Sequence, residues 1–375
     1  MMCDADAGTY CRCMMDGQHR DDVVDGRAWA DFCDALKSAG DLITANSTDG
    51  LDRIEGFRYL SRLARGGLTA FIENGDRVRP FILPIPFNLK IGCDNPDADY
   101  RNVGVDPRYD YRITGTRGTV NFLSIGAYSG GYGTNSATPG AQGNITDNDP
   151  DQDRPIDIIA SVEPPELAPG QQWLEMSPAT TVIIVRNFFL DRKHERSSEL
   201  EIECLNPPTE HPGALSADEL ATGLAMSGFY VHGIVQRFLD WLVMFRESPN
   251  TLEFLPQDDG PGGWGDPNQL FRHGCWDLPE GKAFLITVPA INAFYWNFQL
   301  NNMWEESLDY RRFPVTVNKH TARYEDNGTV RIVVSRTDLG WGNWISTAHH
   351  DHGTWGLRYN QVVEDIPPTI ELIDV

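Results

Sequence analysis

The chain has 375 residues, 41% of them apolar, and a formal net charge of −23. That apolar content excludes an intrinsically disordered chain, and the length allows two or three domains with real cores. The negative charge repels phosphate backbones, so the sequence predicts no nucleic-acid partner and no anionic membrane.

No window approaches the ~20 consecutive apolar residues of a spanning helix. The first residues, Met1-Met-Cys-Asp-Ala-Asp, lack a basic stretch followed by an apolar one, so no secretory signal is expected. The seven cysteines (Cys3, Cys11, Cys13, Cys33, Cys93, Cys204 and Cys275) are odd in number and dispersed, which fits a reducing cytoplasm better than a disulfide framework. Cys11 and Cys13 have no partner pair at zinc-site spacing and read as part of a flexible tail.

In chain order, residues 1–24 read as that tail and 25–80 as N-terminal helices. Trp29, Phe32, Cys33 and Leu36 fall at i, i+3, i+4 and i+7, an apolar stripe that Gly40 would end as a C-terminal cap. A second helix is expected over 51–65, with Ile54, Phe57 and Leu60 or Ser61 on one face and Gly66-Gly67 as its stop. Residues 81–215 form a first β-rich domain. It contains strands near 111–115 and 119–125 joined through Gly115–Gly118 as a hairpin, then strands near 173–176, 180–189 and 199–204. Residues 129–155 read as a long functional or mobile loop, with Tyr128-Ser-Gly-Gly-Tyr-Gly as a candidate lid. Ser216-Ala-Asp-Glu219 matches a capping box that opens a helical segment over 216–250. Gly223, Gly228 and Gly233 inside it suggest a kink or two abutting helices. Residues 257–267 are a second Gly/Asp/Pro-rich loop. Residues 251–375 form a C-terminal jelly-roll-like domain with strands near 283–288, 293–300, 329–335 and 354–359. No repeat at solenoid spacing is visible. Segregated helices and short strands give an α+β, β-rich fold of two sandwich or jelly-roll-like layers with N-terminal helices and a helical insertion.

Two segments near the C-terminus, 294–310 and 340–355, hold five of the ten tryptophans and three of the nine histidines. Their motifs Tyr295-Trp-Asn-Phe-Gln-Leu, Trp304, Glu306-Ser-Leu-Asp-Tyr310, Asn343-Trp344, Thr347, His350, Gly353 and Leu357-Arg358 resemble the bacterial family called domain of unknown function 1214. Lys90–Tyr100 and Tyr111–Thr119 are similar to the upstream region that often accompanies it. The resemblance implies β-rich layers with a helical insertion and no established activity. It singles out Glu306, Asp309, Asn343, His350 and Arg358, but it implies nothing for His349 or His352, where this chain departs from the family pattern.

Strand alternation over 293–300 puts Trp296, Phe298 and Leu300 on one face and Tyr295, Asn297 and Gln299 on the other. Amides in a row can orient a polar ligand. Glu306 and Asp309 share a face if their turn is helical, and close carboxylates can split into one acid and one base. Either could instead cap a turn or pair with Arg311 or Arg312. His350 titrates near neutrality and suits proton transfer. His350 and His352 could share a strand face and hold a metal, with a third ligand from Asp309, His320 or His273. Arg358 could bind a carboxylate or pair with Asp309. Asp94 and Asp97 read as turn residues or catalytic acids. Ser129 lacks the setting of a nucleophile elbow, and there is no P-loop, dinucleotide fingerprint or H-E-x-x-H.

The sequence thus predicts a cytoplasmic enzyme, a hydrolase or lyase. It would act on a small organic molecule in an aromatic-lined cleft, with no cofactor and no resident metal, and a homo-oligomer is left open. Glu306, Asp309 and His350 would move protons, and Tyr295, Asn297, Gln299, Trp304, Asn343, Trp344 and Arg358 would bind substrate. A non-catalytic carbohydrate or small-ligand binding protein and a metal enzyme using His350 and His352 are the alternatives.

Overall fold

The computed structural model describes residues 19–130, 141–149, 153–210, 215–254, 265–290, 292–362 and 364–375. The expectations for Cys11 and Cys13, for 131–140 and 150–152 of the first expected loop and for 257–264 of the second lie outside the described residues, and residues 141–147, expected to be loop, form a strand.

The helices are α1 (His19–Val24), α2 (Arg27–Asn46), α3 (Gly50–Leu68) and α4 (Ala217–Phe245). A π-helical turn, Thr69–Glu73, continues α3. α1 occupies the end of the segment expected to be a tail. α2 runs through Gly40, and α3 runs through Gly66-Gly67. None of the three ends its helix, and Gly66 and Gly67 are there for close approach. A Cβ on Gly67 would stand 3.2 Å from the Ser227 Cα of α4, and one on Gly66 would strike Leu89. α4 begins at the expected capping box of Ser216 and Glu219 and is one unbroken helix. Its Gly223 lies against the Phe71 carbonyl of the π turn, and Gly228 against Ala35 of α2. Close helix packing therefore offsets the ~1 kcal/mol cost of a mid-helix glycine.

The first β unit contains β1 (Leu83–Pro84), β2 (Ala98–Gly104), β3 (Tyr111–Thr116), β4 (Phe122–Ser129), β5 (Ala141–Asp147), β6 (Pro155–Ser161), β7 (Gln172–Glu175), β8 (Thr180–Phe188) and β9 (Glu199–Cys204). They form two sheets, ordered β1-β2-β8-β4-β5 and β7-β6-β3-β9. Gly115–Gly118 is not a hairpin, because β3 pairs with β6 and β9 while β4 pairs with β5 and β8. The chain changes sheets there. Gly118, at φ 68°, passes so close to the carbonyls of Arg196 and Ser197 that no side chain fits.

The second unit contains β10 (Glu253–Phe254), β11 (Gln269–Asp277), β12 (Lys282–Val288), β13 (Tyr295–Asn301), β14 (Thr316–Asn318), β15 (Val330–Ser335), β16 (Trp344–Ser346), β17 (His352–Asn360) and β18 (Thr369–Asp374). Its sheets are ordered β10-β11-β17-β13-β14 and β16-β15-β12-β18. Each strand of the first unit thus has a counterpart nine strands later in the same sheet position. Among the described residues, the single parallel pair of each unit, β6/β7 and β15/β16, matches as well. The two units share one strand topology that is not visible as a sequence repeat.

The same duplication places two buried arginines at equivalent positions. Arg186 of β8 lies opposite Tyr100 and Ser124, and Arg358 of β17 lies opposite Phe271 and Asn297.

Each unit encloses its own sandwich core. Ile113, Ile125, Ile158 and Val185 are among the residues filling the first, and Trp296, Phe298, Leu300, Ile332 and Trp355 help fill the second. A third core packs α2, α3 and α4 against Cys275, Met303 and Trp304 on the outer side of the second unit. Ala98, Phe122, Phe188 and Tyr295 close the junction between the units, with the Phe188 and Tyr295 rings 5.7 Å apart.

Candidate functional site

β13 turns Trp296, Phe298 and Leu300 into the second sandwich core. Tyr295, Asn297, Gln299 and Asn301 therefore face the other way, and all four are fully buried. The covering is the segment Cys93–Asp97. Tyr295 donates its hydroxyl to Asp97 (2.9 Å), and Asn95 donates to the Tyr295 hydroxyl (2.8 Å). Asn297 donates to the Asn95 side-chain carbonyl (3.0 Å), and Gln299 to the Asp94 backbone carbonyl (2.8 Å) and to Asn301 (2.6 Å). Arg358 is 3% exposed, lies 4.0 Å over the Phe271 ring and donates to Gln299 and to the Cys93 carbonyl. The amides thus satisfy one another and Arg358, as buried polar groups must.

A second cluster continues this seam toward α3. The buried face of α3 carries Asp52 and Glu55 as well as Gly56, Tyr59 and Leu63. His350 meets Glu55 at 2.9 Å through Nε2, while its Nδ1 faces the carbonyls of Thr347 and Ala348, each at 3.1 Å. Both ring nitrogens thus face acceptors, which suits the imidazolium. Burial opposes a charged ring, but the Glu55 bond and charge outweigh it and raise the His350 pKa. Burial likewise pushes Glu55 up, yet His350, Asn302 and Arg58 hold it below the usual carboxylate range. Asn302 donates both to Glu55 (2.9 Å) and to Glu306 (3.1 Å), and Arg62 pairs with Glu306. Burial dominates at Glu306 and raises its pKa despite Arg62. Trp304 donates its indole N–H to the Asp52 carbonyl (2.8 Å).

Glu306 and His350 are thus in one buried network, linked by Glu55 and Asn302. Asp309 is not part of it. It lies at the surface with Arg311 (3.1 Å) and Arg312 (3.6 Å), and the Arg311 hydrogen bond lowers its pKa. Nor does Arg358 pair with Asp309. Asn343 is spent on backbone, accepting from Arg323 N and donating to the carbonyls of Arg323 and Arg331. Trp344 stands on β16 and donates to Ser335 Oγ (3.0 Å), in the sheet opposite the seam. His352 takes a separate partner from His350. Its Nε2 lies 3.0 Å from Asp52, whose carboxyl is held at about 2 because His352 and Thr48 together outweigh burial. Tyr128 is a buried strand residue bonded to Arg186 (2.6 Å), so the candidate lid begins inside β4.

Two groups of donors have the chemistry to hold a metal among the described residues. Cys93, His273 and Glu305 are buried, and Asp49, Asp52 and His352 sit at the edge of α3. Burial pushes the Glu305 carboxyl to about 8, the Asp97 carboxyl to about 6 and the Cys93 thiol up to about 12. Elsewhere, a cleft of about 980 Å³ opens between the end of α3, the π turn, residues 81–86, the end of β2 and the first turns of α4.

Glu55, Asn302, Glu305 and the ligand-type pairing of Cys93 with His273 are not among the site residues expected from the sequence. One signal was present. Asp52, Glu55, Gly56, Tyr59 and Leu63 recur at helical spacing, and the small Gly56 in that row marks a packed face. The apolar alternative of Ile54 and Phe57 is the exposed face, at 70% and 47%.

No family model matches the chain, and no curated protein does. Among solved structures, a protein from Vibrio parahaemolyticus is 12% identical, covering 85% of this chain and 98% of its own, with a TM-score of 0.49. The crystal structure of an uncharacterized protein from Burkholderia cenocepacia is 37% identical over 95% of this chain and 99% of its own, with a TM-score of 0.88. At that identity and coverage, the chain belongs to the same family as the uncharacterized Burkholderia cenocepacia protein.

Proposed function

We propose that this protein binds a small, mainly apolar organic molecule in the cleft between the helical layer and the first β unit. The observation that carries this reading is the size and lining of the cleft. Its volume of about 980 Å³ is at the upper end of the ~300–1,000 Å³ usual for ligand pockets. Phe71, Leu83, Ile85, Leu89, Met226 and Phe229 supply apolar wall, and Asn74, Arg77 and Thr222 supply a few polar groups. One wall is a π turn, a feature often found at functional sites.

The test uses an anilinonaphthalene sulfonate dye and the full chain. Saturable binding to wild type is expected, with affinity at least ten-fold weaker in Met226→Trp and Thr222→Trp, which fill the cleft. Unchanged dye affinity in both folded variants overturns the reading.

The enzyme reading rests on a different observation, the buried Glu306–Asn302–Glu55–His350 chain of hydrogen bonds. It would use Glu306 and His350 for proton transfer. Normal turnover of a hydrolase and lyase substrate panel by folded Glu306→Gln and His350→Gln removes it. The resemblance of residues 294–358 to domain of unknown function 1214 belongs to the same proposal. So does a cytoplasmic setting, supported by Cys33, Cys93, Cys204 and Cys275 all being free thiols.

No helix among the described residues is long and apolar enough to cross a membrane.

A further inference from the structure

We propose that Cys93, His273 and Glu305 form a binding site for one divalent transition-metal ion of the zinc class. The proposal is independent of the cleft. It starts from proximity. The thiol sulfur, an imidazole nitrogen and a carboxylate oxygen lie within 4.8 Å of one another. A tetrahedral ion with metal–ligand distances of about 2.0–2.3 Å holds its ligands roughly 3.5 Å apart, so small side-chain movements suffice.

The second observation is unmet hydrogen bonding. His273 is 1% exposed, yet neither ring nitrogen has a hydrogen-bond partner, and the fully buried Glu305 carboxylate faces only the Thr354 hydroxyl among the described residues. That hydroxyl is shared with the Asn302 carbonyl (3.2 Å), so it serves Glu305 only in part. Native proteins satisfy buried polar atoms, and two orphaned ring nitrogens beside an under-satisfied carboxylate imply a missing partner. An ion that accepts lone pairs from nitrogen, oxygen and sulfur fits this donor set.

The backbone is shaped around the same point. Cys93 and Glu305 both adopt left-handed conformations, at φ 57° and 58°, which non-glycine residues avoid. Cys93 N donates to the Glu305 carbonyl (2.7 Å), so each holds the other in place. Such strain persists where the surroundings enforce it, and it clusters at ligand sites. Gly356 lies opposite His273 in the β11–β17 ladder, and a Cβ there would stand 2.9 Å from the Cys93 sulfur. The glycine leaves the sulfur room to approach. Asn301 Nδ2 donates to that sulfur (2.9 Å), a contact that favours the thiolate. His273 is stacked on Phe245 and edge-on to Trp241, which fixes its ring plane.

Donor chemistry selects the ion. A thiolate and an imidazole suit zinc, cobalt or iron and not magnesium or calcium. Cys93 and Glu305 bind as anions, and any protons they carry pass to solvent as the ion enters. Three protein ligands leave a fourth position for water or a ligand atom.

The test uses the purified full chain, cleared with chelator and then dialysed against zinc(II) or cobalt(II). Elemental analysis should return about one zinc per chain. Cobalt(II) should give a thiolate-to-metal charge-transfer band in the near ultraviolet. Cys93→Ser should abolish that band, and His273→Gln and Glu305→Gln should weaken metal affinity at least ten-fold. Cys275→Ser and His352→Gln should change neither. Absence of stoichiometric zinc or of the cobalt band in the wild-type chain overturns the proposal, even where a variant fails to fold. Undiminished binding in folded Cys93→Ser overturns it too.

Discussion

The Glu55–His350 pair joins α3 to the loop before β17, and its removal makes a quantitative prediction. The two side chains are 10% and 7% exposed, so solvent screens them little. Breaking a buried ion pair by deleting one partner costs about 3–5 kcal/mol, because a charge is left uncompensated. Here Glu55 keeps Asn302 at 2.9 Å and Arg58 at 2.7 Å after His350→Ala. The expected loss is therefore at the low end, about 3 kcal/mol. Adding Glu55→Gln to His350→Ala should cost much less than the sum of the single changes, with a coupling of about 2 kcal/mol.

The pH dependence has a definite sign. The raised His350 pKa contributes stability that is fully present below the ordinary value of 6.5 and is lost as pH rises through the folded value. The lowered Glu55 pKa contributes stability present above 4.5 and lost as pH falls through its folded value. The deficit of His350→Ala should thus be greatest between about pH 5 and 6 and shrink by pH 9. Urea unfolding of the four proteins at pH 5.5 and pH 9 measures it. A coupling below about 0.5 kcal/mol, or a deficit that does not shrink at pH 9, refutes the reasoning.

Two further substitutions test the packing and the placement of the site. Gly56→Ala puts a methyl 2.5 Å from Ile43 Cγ2 and 2.9 Å from the Trp304 ring, so it should lower stability by about 1–3 kcal/mol in urea unfolding at an unchanged m value. An unaltered midpoint would mean that α3 does not press on the second unit as described. Asp309→Asn removes only surface pairs with Arg311 and Arg312, and calorimetry should show a change of about 0.5 kcal/mol or less. A loss above about 2 kcal/mol would mean that Asp309 belongs to the buried network after all.

The local elements were legible in the order of the residues. Alternation along 295–301 sorted Tyr295, Asn297 and Gln299 from Trp296, Phe298 and Leu300, because strand geometry fixes which side chains share a face. Ser216 and Glu219 marked the start of α4, because a capping box is a contact between residues three apart. Periodicity also located α3, but its buried face was misread. The charges of Asp52 and Glu55 are met inside by His352 and His350, which arrive there from some 300 residues away in the chain. Burial of charge depends on a partner, and no local pattern contains the partner.

Long-range packing set the rest. It duplicated one strand order over two units that share no visible repeat, since packing constrains topology more tightly than it constrains side-chain identity. It laid Cys93–Asp97 over the polar face of β13 and so turned an expected substrate surface into a sealed seam. And it gathered Cys93, His273 and Glu305 from three separate stretches of chain. Their distances are set by how β11, the Cys93–Asp97 segment and the 301–306 turn pack together, which is long-range geometry that spacing along the chain does not encode.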